Sequence, residues 1–178
     1  MHVVVVLLPI SVLAALLLVA VPAARRAYSA LTLVVAFIAC AAIPFAFLSG
    51  SQLRARLPGT PLIARHVQLA HQLLPIAAAF GVALAAFVVV DAIRRVHAGQ
   101  LNAAESRVVD AIPAVRRYAE THRLMGAHRV SALLVVVLAV GTGVQVYRVG
   151  DAGAKAAWAG RISGSATEPQ PVTSTPSR

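Results

Sequence analysis

The chain has 178 residues, of which 59% are apolar and 12% charged, with a formal net charge of +10 and a mean hydropathy of +0.80. So much hydrocarbon exceeds what one small soluble core can bury, which excludes a soluble globular domain and makes the lipid bilayer the expected solvent. The positive charge would suggest nucleic acid in a soluble protein, but here the basic residues lie in connections between apolar runs, so they report topology and no nucleic-acid partner is expected.

Four apolar runs, about 3–21, 28–48, 67–93 and 130–147, are each near the ~20 residues that cross a ~30 Å hydrocarbon layer. They lack the alternation of barrel strands, so the fold class is all-α, a polytopic membrane protein with four transmembrane helices in a domain spanning 1–158. The first run precedes "VPAA" at 21–24, which resembles a leader cleavage site. It is longer than the usual h-region of about 7–15 residues and has no Lys or Arg before it, so a retained span is expected. The second run carries Cys40, a lone thiol expected to serve as packing. The third follows "RHVQLAHQLLPI" at 65–76 and contains Asp91, the single charged residue within any run. Arg94 and Arg95 stand three and four residues on, so a local ion pair is expected.

The connection 94–129 is too polar to span. Val108, Val109, Ile112 and Val115 recur there at helical spacing until Pro113 interrupts, which fits either a short helix on the membrane surface or a solvated connector. His97, His122 and His128 belong to this side and are expected to be solvated. Beyond Trp158 the segment 159–178 ends in "SGSATEPQPVTSTPSR", a composition that predicts a disordered tail. Nine basic residues (Arg25, Arg26, Arg94, Arg95, Arg107, Arg116, Arg117, Arg123, Arg129) fall on one side and seven on the other. That bias makes 94–129 cytoplasmic and places both termini outside. Fifteen Arg against one Lys suggests a high-GC bacterium, and hence a bacterial plasma membrane.

"HVVVVLLPI" at 2–10 is echoed by "HVQLAHQLLPI" at 66–76, the trace that two duplicated helical hairpins would leave; chance repetition of Leu-rich segments is the alternative. With this topology Pro9, Pro44 and Pro75 share the outer half of the membrane with "GTGVQ" at 141–145. Proline and glycine concentrate irregular backbone there. His2, Gln52, His66, Gln68, His71, Gln72, Tyr147, Arg148 and Asp151 ring that end, either as an outward-opening polar vestibule or as the ordinary polar rim of helix ends. Without a charge near midplane, a proton-driven transporter is disfavoured, and no charge ring or filter loop suggests a channel.

Two histidines from different helices can hold a b-type haem. His2 precedes Pro9 by seven residues and His71 precedes Pro75 by four, so at about 100° per residue both lie near their proline's face, whereas His66 falls opposite. A second haem would want a histidine where Leu84 and Ala85 stand, which limits the idea to one site.

The stretch "GTGVQVYRVGDAGAKAAW" at 141–158, with "PLIARHVQLAHQLLP" and "HVVVVLLPISVLAALLL", resembles the bacterial four-helix membrane family known as domain of unknown function 2231, over about residues 2–158. The resemblance implies a helical inner-membrane domain, and because some relatives are joined to Rieske-type iron–sulfur domains it implies an association with membrane redox proteins. On this pattern His2 resembles the second histidine of an "HPxxVH" opening and His66 matches the histidine before the third helix, while His71 occupies a position that is often not histidine. The His-Pro half of the opening is absent, and "SGSQLRARLPG" stands where the family's second loop is acidic. Tyr147, Arg148 and Asp151 then either anchor the helix end, with Gly150 terminating it, or form an outer loop in which Arg148 pairs with Asp151. The reading that results is an accessory or assembly protein of the membrane, with no nucleophile–base pair or phosphate loop. The alternative is a haem- or metal-binding electron-transfer subunit, with self-association as a further kind of partnership.

Overall fold

A computed structural model describes residues 2–54, 59–97 and 124–162, and all of these except Val21, Gly59 and Thr60 are helical. The side chains of 2, 53, 54, 96, 97, 124, 125 and 160–162 are outside the description, as are the surface helix sought around Val108 and the tail beyond 162. Four helices result: α1 (His2–Ala20), α2 (Pro22–Arg54), α3 (Pro61–His97) and α4 (Leu124–Ile162). Each is long and apolar enough to cross a membrane. The chain is thus an all-helical, multi-pass membrane protein in its described part.

The helix starts follow from proline chemistry. The Val21 N–H still donates to the Leu17 carbonyl at 2.9 Å, but Pro22 has no N–H to continue the ladder and instead opens α2 at its first position. Pro61 opens α3 in the same way, with Thr60 as its cap: the Thr60 hydroxyl accepts from the Ile63 N–H at 3.3 Å and its carbonyl from the Ala64 N–H at 3.1 Å. Helices α2, α3 and α4 have 33, 37 and 39 residues. At 1.5 Å per residue they run to about 50–60 Å, well beyond a ~30 Å hydrocarbon layer. The apolar runs therefore mark only the lipid-crossing parts. Gly150 does not end the last helix, which continues to Ile162.

The helices run up, down, up, down around a closed square: α1 packs on α2 and α4, α3 packs on α2 and α4, and the diagonal pairs touch least. A duplicated hairpin is not established by this arrangement, since α1 has 19 residues and α3 has 37.

Each helix buries a stripe at spacings of three and four, strictly alternating on the first three: Val4, Leu8, Ser11, Ala15 and Leu18 on α1; Ser29, Thr32, Ala36, Ala39 and Ile43 on α2; Leu73, Ala77, Phe80, Leu84, Phe87 and Asp91 on α3; Ser131, Val135, Ala139, Thr142 and Gln145 on α4. That repeat is the seam of a left-handed helical bundle. Much of it is small or weakly polar, while Phe37, Phe45, Val82 and Leu133 face outward. This is the pattern lipid demands, because hydrocarbon outside the bundle is as comfortable for Phe and Leu as the inside, and close helix approach then depends on small residues. Gly143 lies against Val12 of α1, where an added Cβ would make ordinary contact at 3.8 Å.

Candidate functional site

The end where α2 finishes and α3 begins carries the histidines of interest. His66 is half-buried, and its Nδ1–H donates to the Val149 carbonyl of α4 at 3.0 Å. A carbonyl can only accept, so Nδ1 carries a proton, and in the neutral imidazole Nε2 is then the bare nitrogen. The ring lies over Gly153, where an added Cβ would come within 3.1 Å of the His66 Cε1. One turn deeper Gln145, 4% exposed, donates from Nε2 to the Leu69 carbonyl at 2.8 Å and toward Gln72 Oε1 at 3.4 Å. These contacts tie α3 to α4 at this end.

His71 serves another helix. Five residues after His66 it is turned by about 140°, is exposed, and sets its ring 5.1 Å from that of Phe47 on α2. Below this contact the Cys40 thiol reaches the Ala77 carbonyl at 3.4 Å, so Pro44 and Pro75 lie level between the two. Pro75 has no N–H for the His71 carbonyl and Pro44 none for that of Cys40. His2 is the first residue of α1, diagonal to α3, and its side chain lies outside the description. Val3 and Val4 share a shallow groove with Ala42, Phe45, Ala46 and Ser49 of α2, which puts the start of α1 nearer in level to His71 than to His66.

A b-type haem held by His2 with His66 or His71 would need a slot between α1 and α3. That space is filled by Val4, Leu8, Ile43, Leu73 and Ala77, and the two α3 imidazoles face different neighbours. Among the described residues, this apolar packing leaves no place for a porphyrin between the helices. Among the described residues no three His, Cys, Asp or Glu side chains gather as a metal site.

Tyr147 and Arg148 point outward from α4, Tyr147 being 75% exposed. Asp151 pairs with Lys155 at 2.8 Å, so the outer loop pairing Arg148 with Asp151 is replaced by a surface pair one turn along a continuous helix. The physical reason is that α4 persists through Gly150, bringing residues i and i+4 together.

The opposite end holds a cluster that sequence reasoning missed. Asp91, 8% exposed, lies 3.1 Å from Arg95 Nε, 3.7 Å from Arg25 Nη1 of α2 and 3.9 Å from His128 Nδ1 of α4. Arg25 Nη1 donates to His128 Nε2 at 3.1 Å. Arginine has donors only, so that imidazole nitrogen accepts and the ring's proton sits on Nδ1, toward the carboxylate. The His128 ring stacks on Phe87 at 5.2 Å, and the Arg25 guanidinium lies 5.8 Å from the same ring. Thus Asp91 is more than a local partner for Arg95, and His128 is not a solvated connector residue; both belong to a three-helix junction. A usable signal was present in the sequence, since Asp91 continues the spacing of Leu73, Ala77, Phe80, Leu84 and Phe87 and so had to face the other helices.

Compared with protein families, with curated proteins and with solved structures, the chain matches none of them.

Proposed function

We propose that this is an accessory or assembly protein of the bacterial plasma membrane, with both termini outside, that holds partners in place and catalyses no reaction of its own. The observation that carries the proposal is how the buried polar side chains are used: Asp91, Arg25 and His128 join α2, α3 and α4 at one end, and His66 and Gln145 join α3 to α4 at the other. Chemistry-bearing groups spent on helix contacts suit a rigid scaffold. The resemblance to domain of unknown function 2231 accords with that role and points to membrane redox proteins as partners. The orientation rests on the arginine-rich end, whose charge is expected in the cytoplasm.

A second reading, an electron-transfer subunit, is favoured by one detail of His66. Its Nδ1–H is bonded to a carbonyl and its Nε2 is left bare, the arrangement by which second-shell contacts orient metal-ligating histidines. With the described interior at this end packed by apolar side chains, such a group would sit at the rim against a partner subunit.

A reduced-minus-oxidised visible spectrum separates the two. The purified full chain, expressed with ample haem, is expected to be folded and colourless. A haem band that disappears in His66→Ala would overturn the accessory reading in favour of the second.

A further inference from the structure

Arg25 and His128 meet across the diagonal of the square, where α2 and α4 otherwise touch little. Among the described residues the imidazole ring makes one hydrogen bond. Its Nε2 accepts from Arg25 Nη1 at 3.1 Å, whereas the buried Nδ1, 3.9 Å from Asp91 Oδ1, has no hydrogen-bond partner. Phe87 of α3 lies against both groups, the imidazole stacked on it at 5.2 Å and the guanidinium 5.8 Å away. Around the ring stand Arg25 from α2 and Asp91, Arg94 and Arg95 from α3, with Arg129 next to it on α4 and no charged group on the described part of α1.

A guanidinium has donors only and keeps its charge, whereas an imidazole that takes a proton loses its one lone pair. A proton added to His128 Nε2 would set N–H against N–H at Arg25 and turn the bond into a repulsion. The conflict lies in the valence of one nitrogen and holds whatever charges stand elsewhere around the junction. Arg25 Nη1 is already 3.7 Å from Asp91 Oδ1, so a guanidinium released by the ring has an acceptor on α3 and need not return to α4. We propose that His128 is a proton-operated latch: neutral, it ties α2 to α4 through Arg25; protonated, it lets go and Arg25 passes wholly to Asp91 of α3. The unfolded chain takes up the same proton with no bond to lose. The latch therefore contributes to stability at high pH, and its contribution fades as pH falls through the imidazole range.

Spin labels on Ala27→Cys and Val130→Cys, both exposed positions, read the separation of α2 and α4 in the full chain in a Cys40→Ala background. Measured in nonionic detergent, the distance distribution is expected to be narrow at about pH 8 and to lengthen and broaden at about pH 5. His128→Gln offers Arg25 an amide oxygen that cannot titrate, so its distribution should stay narrow at both pH values. SDS-titrated unfolding gives a second reading through the cycle of Arg25→Gln and His128→Leu. Their coupling in the unfolding constant should be about fivefold at the higher pH and vanish at the lower one. A separation indifferent to pH, the same pH response in His128→Gln, or an equal coupling at both pH values would overturn the latch.

Discussion

Asp91 stands between the Arg25 and Arg95 guanidinium groups, with the His128 ring beside them. Replacing it by Ala removes the carboxylate that Arg25 and Arg95 share, and removing one partner of a buried ion pair costs about 3 kcal/mol. SDS-titrated unfolding should show that loss in Asp91→Ala, and a much smaller one in Lys155→Ala, whose pair with Asp151 is 66% and 42% exposed. His66 and Gly153 give a sharper test because their coupling should change sign. With His66 present, Gly153→Ala must displace a ring 3.1 Å from the new Cβ and weaken its bond to Val149, a cost of about 1 kcal/mol. In a His66→Ala background the same change only replaces a helical glycine by alanine, and should stabilise by up to about 1 kcal/mol. Equal effects in both backgrounds would show that the ring does not depend on the glycine.

Among the elements, α3 and α4 form the most extensive contact in the bundle, and Gln145 is its buried polar tie. Gln145→Leu keeps the approximate volume but leaves the Leu69 carbonyl with its helical bond alone, so a loss of about 1 kcal/mol is expected in the same unfolding assay. The helix ends illustrate how far a sequence carries. Pro22 and Pro61 open α2 and α3 about six residues before the apolar runs at 28 and 67, a proline signal that a reading by hydropathy passes over. The extension of α4 through Tyr147, Gly150 and Trp158 was not legible, because hydropathy drops where a helix leaves the hydrocarbon whether or not the helix itself stops. The buried stripes were hidden for a related reason: in lipid the outer face is as apolar as the inner one, so only the small and polar residues mark the seam.

For the whole molecule, the charged junction and the histidine-bearing end should lie on opposite sides of the membrane. Single cysteines placed at Arg129 and at Lys155 in a Cys40→Ala background test this with a membrane-impermeant maleimide. In intact cells the Lys155 position is expected to be labelled and the Arg129 position to be protected until the membrane is opened. The reverse pattern would invert the topology. Both residues are exposed, so lack of labelling reports the membrane barrier and not burial.

Length and hydropathy by themselves determined four membrane-crossing helices, since each apolar run needs a bilayer and each backbone in lipid needs a helix. Which polar residues meet was decided by tertiary structure. Arg25, Asp91 and His128 are separated by long stretches of chain and come together because the helices alternate direction around a square. His66 and His71 are neighbours in sequence yet part company because five residues of helix turn them toward different partners. Hydrophobicity is a sum over a segment and can be read along the chain, whereas a contact between side chains depends on helix rotation and register, which exist only once the helices have packed.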